Sequence, residues 1–124
     1  MFQFEEMQFS KEHIWIKKIQ PNQYYLGITD FAQDLLGDIV FADIKINKKV
    51  SSGSALGFIE SVKTSSDIVS PTDAEVIEIN PLLQSSIEQI NEKPYETWLC
   101  KIITTGSEIE NLLSHEEYQA LIKD

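Results

Sequence analysis

The chain has no arginine, a single cysteine and no apolar run long enough to cross a membrane, and each shortage removes a class of function. All ten basic residues are lysines, set against 20 acids, for a net charge of −10 over 124 residues. Nucleic-acid binders neutralise phosphates with Lys and Arg clusters and read bases with Arg forks, so a nucleic-acid partner is not expected. A lone cysteine cannot close a disulfide within the chain. Cys100 lies in Trp98-Leu99-Cys100-Lys101-Ile102, which alternates like a strand, and is expected to be a small core hydrophobe. The opening MFQFEEMQFS has neither the basic nor the apolar region of a secretion signal, and no membrane span is expected. The expected compartment is the cytoplasm, or an organelle for a mature form.

Catalytic signatures are equally scarce. His13 and His115 stand near opposite ends in no metal-ligand spacing, there is no CxxC pair, and no P-loop, GxGxxG or GxSxG occurs. Both histidines are expected at the surface or in turns, and an enzyme activity of its own is the least favoured reading.

What is present is ordinary for a folded protein: 42% apolar and 24% charged residues. At this length about two-thirds of the unfolded surface can be buried, enough for one core, so residues 1–124 are expected to form one domain. The acidity is uneven. Residues 1–50 hold seven acids against six lysines, whereas 51–124 hold thirteen against four. A solvated surface explains this most simply, with guidance toward basic partner surfaces as the sharper alternative.

Short runs of period two predict a mainly β protein with small inserted helices. Strands are expected at 13–19 and 24–28, joined at Pro21-Asn22, then at 38–46, 55–62, 67–69, 74–79 and 98–103. Gly53 and Gly57 suggest a bend or a close backbone approach. A short helix is expected over 29–37, capped by Asp30 with Gln33 three residues on and stopped by Gly37 in the left-handed conformation. Asn80-Pro81 predicts a helix over 82–88. In the tail, Ser107 with Glu110 and Ser114 with Glu117 match two capping boxes and predict two short helices.

The candidate chemistry is local. In Gly57-Phe58-Ile59-Glu60-Ser61-Val62-Lys63-Thr64-Ser65-Ser66-Asp67 a single base sits between two extended runs among Glu60, Asp67, Asp73, Glu75 and Glu78. Small polar residues on both sides suit a hairpin tip and would expose the ammonium. On pattern alone, a surface lysine that guards against edge-to-edge pairing explains the segment better than a modification site.

The segment ESVKTSSDIVSP, however, resembles the lipoylation segment of the H protein of the glycine cleavage system, typically ESVKAxSDIxxP. KEHIWI is similar to the family's KEHEWV and GITDFAQDLLGDIVF to its GITDxAQxxLGDIVF. EVIEIN, NEKPYETWLCKI and LLSHEEYQAL follow in the family's order. Biotinyl domains usually flank their lysine with methionines, and lipoyl domains of oxo-acid dehydrogenases read Asp-Lys-Ala; Val62-Lys63-Thr64 fits the H-protein type.

The resemblance implies a lipoyl-domain-like barrel-sandwich hybrid, or hammerhead, with short inserted helices and a C-terminal helical segment. It implies lipoic acid amide-linked to Lys63, with Glu60, Ser61, Val62 and Asp67 serving recognition or contacts to the arm. It also implies a carrier, not an enzyme, that shuttles an aminomethyl group between a pyridoxal-phosphate glycine decarboxylase, an aminomethyltransferase and dihydrolipoamide dehydrogenase after a lipoate ligase or lipoyltransferase has loaded it. The alternative is a lipoylated donor or relay outside glycine cleavage.

Three departures bear on this. Where the family commonly has an acid after the histidine of KEHEW, this chain has Ile14, which cannot pair with an aminomethyl ammonium; Glu12 or Asp67 would have to compensate. A buried ammonium without its carboxylate costs about 1–3 kcal/mol or more. Thr72-Asp73-Ala74-Glu75 lacks the family's glycine, so alanine would be strained by about 1 kcal/mol if that position needs positive φ, unless Asp73 takes the left-handed role. The family's PYxxGW is shortened to Pro94-Tyr95-Glu96-Thr97-Trp98.

Overall fold

The computed structural model describes residues 4–106 and 109–123. After a single 3-10 turn at Phe4–Glu6 come β1 (Met7–Phe9), β2 (Ile14–Gln20), β3 (Gln23–Ile28), α1 (Asp30–Leu36), β4 (Ile39–Ile44), β5 (Lys49–Val50), β6 (Ala55–Ser61) and β7 (Ser65–Val69). They are followed by β8 (Ala74–Ile79), α2 (Leu82–Ser85), α3 (Gln89–Glu92), β9 (Cys100–Thr104) and α4 (His115–Ile122). The strands form two open antiparallel sheets, β1-β2-β3-β9-β8-β5 and β4-β6-β7. The mainly β expectation holds.

Strand alternation distributes the apolar residues over two clusters. Ile14 and Ile16 of β2 join Leu26, Val76, Ile102, Ile39, Leu56, Ile59 and Ile68 in the larger one, to which both sheets contribute. Trp15, between them in sequence, points the other way and packs with Met7, Phe9 and Tyr118 of α4. Trp15 faces Gly27 across the β2–β3 ladder, and a Cβ on Gly27 would run into the indole ring, so glycine is needed for the ring to lie flat there. The indole N–H donates to Pro94 O at 2.9 Å, which places the shortened Pro94–Trp98 loop against the sheet. Cys100 lies in the larger cluster as expected, and burial pushes its thiol up to about 12.

Several local expectations need correction. Thr29, not Asp30, caps α1: its backbone is extended and its Oγ1 accepts from Ala32 N. Asp30 is thereby free to accept a hydrogen bond from the Tyr95 hydroxyl at 2.9 Å. Gly37 does end the helix at φ 87, but with ψ −172 it is not left-handed helical. Of the expected helix over 82–88 only Leu82–Ser85 forms, as α2, and a separate short helix, α3, follows at Gln89–Glu92. Asn80 Oδ1 accepts from Leu82 N, while α3 is anchored separately by Thr97 Oγ1, which donates to Gln89 O.

In the tail, Ser107 lies outside the described residues. The following residues 109–114 form no helix: Leu113 instead exchanges two backbone hydrogen bonds of 2.8 Å with Phe9. The second capping box is complete, with Ser114 and Glu117 satisfying each other's N–H groups, and starts α4. Asp73 does not have positive φ. It accepts from Ser52 N through its carboxylate, and Ala74 begins β8 without strain.

Candidate functional site: the lysine hairpin

The β6–β7 ladder ends in a tight turn in which small polar residues satisfy the backbone. Ser61 N–H donates to Thr64 O at 2.7 Å, and Ser61 Oγ accepts from both Lys63 N and Thr64 N at 3.1 Å. A serine at this place therefore does what a third strand would otherwise do for two exposed N–H groups. Val62 N–H donates outside the hairpin, to Asp38 O at 3.0 Å, fastening the tip to the junction between α1 and β4. Its side chain is 68% exposed.

Lys63 occupies the turn and is exposed. Among the described residues no carboxylate or other polar group binds its ammonium, so the amine is open to a modifying reagent. The stem is less free than the amine: a Cβ built on Gly37 would lie 2.9 Å from Lys63 Cε and 3.8 Å from Val62 Cγ2. The lysine methylenes thus run over the bare end of α1.

That junction is itself clamped. Asn91 of α3 accepts from Ile39 N at 2.7 Å and donates to Ile39 O at 3.1 Å. Ile39 in turn pairs with Ser61 at the end of the β4–β6 ladder.

Of the other expected site residues, Glu60 and Asp67 are both exposed. Glu60 lies opposite Phe41 and Ser65, and Asp67 opposite Phe58. With Asp43 they line the outer face of the three-stranded sheet beside the Phe41–Phe58 pair, whose centroids are 6.1 Å apart. The structure therefore places Glu60, Ser61, Val62 and Lys63 together at the tip of one sheet, with Asp67 midway along the neighbouring strand. Ile14 does not join them; at 3% exposure it belongs to the larger core cluster.

The histidine of KEHIWI has a structural place. His13, in a turn at φ 68, hydrogen-bonds through Nδ1 to the Tyr118 hydroxyl at 2.8 Å, which in turn meets Thr29 Oγ1 at 2.8 Å. Burial holds the His13 pKa below its ordinary 6.5, against a weaker opposing pull from the Glu12 carboxylate. Three distant segments, the β1–β2 turn, the α1 cap and α4, meet at one hydroxyl.

Sequence reasoning overlooked Gly37, Asp38 and Asn91 as parts of this site. Gly37 was legible only as a helix stop. A backbone carbonyl such as that of Asp38 leaves no trace in residue type, and Asn91 acts over 52 positions of sequence.

The sequence profile of the family described as "Glycine cleavage H-protein" matches residues 7–124. The chain belongs to the glycine cleavage H-protein family. It is 43% identical over 117 residues to the "Glycine cleavage system H protein" of Clostridioides difficile (strain 630), covering 93% of this chain and 94% of that relative. The protein of the same name from Escherichia coli O7:K1 (strain IAI39 / ExPEC) is 43% identical over 122 residues, covering 96% and 95%. Among solved structures, a glycine cleavage system H protein from Mycobacterium marinum superposes with a TM-score of 0.84 at 29% identity over 94% of this chain and 95% of that one. The fold is thus lipoyl-domain-like, as the resemblance implied, and the family is one of carrier subunits. No helix among the described residues is long and apolar enough to cross a membrane.

Proposed function

We propose that residues 1–124 act as one lipoyl carrier of glycine cleavage, with the lipoyl group in amide linkage on Lys63. In this reading it shuttles an aminomethyl group between glycine decarboxylase, aminomethyltransferase and dihydrolipoamide dehydrogenase. The observation that carries the reading is the Lys63 amine, exposed at a hairpin tip and unpaired among the described residues, within a chain matched to the family over almost its whole length.

The turn suits the group. Its backbone is satisfied internally by Ser61, so the lysine can be acylated without breaking a structural contact of its ammonium. The amide forms as neutral Nζ attacks the carbonyl carbon of an activated lipoyl acyl group; the activating group leaves and Nζ sheds its proton to water. Once attached, a lipoyl group supplies a reducible disulfide on a long arm. The chain's own residues contribute exposure and placement: Val62 offers apolar surface beside the arm, while Glu60 and Asp67 offer charge to a docking enzyme of basic surface. Acylation also removes one positive charge, leaving the tip to its carboxylates.

Incubating the full chain with a lipoate ligase, lipoate and ATP should add one lipoyl increment to the intact mass, and Lys63→Ala should abolish it. An unmodified wild type would overturn the reading.

A second reading, a lipoylated relay outside glycine cleavage, is favoured by Ile14. Its side chain stands in the apolar core, at the position where the family pattern KEHEWV, which KEHIWI resembles, has an acid. If the lipoylated protein supports glycine-dependent CO2 exchange with the three enzymes, the relay reading falls; if it is loaded but inactive there, the relay stands.

A further inference from the structure

We infer that Gly37 is a positioning residue for Lys63: its bare Cα is the seat of the lysine stem, and the seat sets the direction from which the amine meets the acylating enzyme. The inference rests on the carrier reading above.

The contact is between Gly37 and the stem, not the charge. An added Cβ at position 37 would lie 2.9 Å from Lys63 Cε but 3.7 Å from Nζ. A side chain there would displace the methylenes, whereas hydrogen lets them lie flat with the amine beyond the glycine. Val62 Cγ2, 3.8 Å from the same point, forms the other wall of the seat.

The seat has a fixed address relative to the hairpin. Val62 N–H holds Asp38 O, the Ile39–Ser61 pairing continues the ladder, and Asn91 grips Ile39 by both its N–H and its carbonyl. Gly37 is the residue just before this fastened stretch. A long exposed lysine otherwise spreads its amine over many rotamers. Confining the stem while leaving the ammonium without a partner among the described residues narrows that spread without protecting the nucleophile, and an aligned nucleophile reacts faster than a merely accessible one.

Position 37 also needs glycine for φ 87, so strain and seat must be separated. Three measurements on the full chain do so. In the unmodified protein, a nuclear Overhauser effect should connect Lys63 Hε to Gly37 Hα; its absence overturns the inference.

In Gly37→Ala with dispersed, folded amide resonances, the ligase reaction followed by intact mass should show kcat lower by about tenfold or more with KM unchanged, because docking survives and aim does not. An unchanged kcat in that folded variant overturns the inference. Gly37→D-Ala, made by chemical ligation, relieves the positive-φ strain and also turns the methyl away from the direction that an L residue's Cβ would take, so the rate should recover. A rate as low as that of Gly37→Ala shows that a substituent not aimed at the stem slows acylation equally and overturns the seat, while the Overhauser contact, read with glycine in place, separates seat from strain.

If Gly37→Ala fails to fold, the Overhauser contact and Gly37→D-Ala decide. Failure of the wild type to gain any lipoyl mass would sink the carrier reading itself, a result separate from a wild type and variant loaded alike.

Discussion

The aromatic cluster and the lysine hairpin are stabilised in opposite ways. At the aromatic end, Met7, Phe9, Trp15 and Tyr118 are all nearly or fully buried, and side chains do the holding: stacked rings, an indole hydrogen bond and the His13–Tyr118–Thr29 chain. At the lysine hairpin Lys63, Val62, Glu60 and Asp67 are exposed and what is held is the main chain, by the Ser61–Thr64 and Val62–Asp38 backbone bonds and by Ser61 Oγ. In the proposed carrier reading, a residue that is modified and visited by partners cannot also be a packing element. Fixing the tip by its main chain leaves Lys63, Val62, Glu60 and Asp67 available, while the stability is placed where no partner need reach.

If this division is right, substitutions at the two ends should affect different measurements. The largest effect is expected from Phe9→Ala, which empties a fully buried site stacked on Tyr118 and should cost about 3–5 kcal/mol in denaturant unfolding. Lys63 in whatever folded fraction remains should still be acylated. Next, Tyr118→Phe keeps the ring but strips the hydroxyl from both His13 and Thr29; a loss of about 1–3 kcal/mol is expected, again with acylation unchanged.

Ser61→Ala reverses the pattern. Two exposed N–H groups lose their acceptor to water, so stability should fall by about 1 kcal/mol or less, while acylation slows as the turn loosens. Equal acylation by Ser61→Ala and wild type would erase the contrast between the ends.

The smallest effect is a pH dependence at the aromatic end. The folded-state pKa of His13 lies below its ordinary 6.5, so as pH falls through that region the unfolded chain takes up the proton first. Stability should decline over the interval between 6.5 and the lower folded value, and His13→Gln should flatten that part of the curve.

The architecture was largely legible in the sequence because period-two alternation is kept in strands such as β8 and β9; β8 was read at 74–79 and found there. The lysine and its neighbours were legible from turn chemistry and from family resemblance. What escaped reading was settled by long-range pairing. The stretch 109–113 has helical spacing but becomes an edge partner of β1 because Phe9 offers it free backbone groups. Thr29 displaced Asp30 as cap because burial and the Tyr118 hydroxyl favour the threonine there. Asn91 looks like any polar helix residue until α3 is laid against β4.

The pairing of Leu113 with Phe9 has a use beyond joining the tail to the body. β1 is the last strand of the six-stranded sheet, and an uncovered margin there could recruit another copy of the chain through its unsatisfied amides and carbonyls. Two main-chain bonds from the tail close part of that margin, which suits the proposed carrier reading, in which the chain would have to let go of every protein it touches.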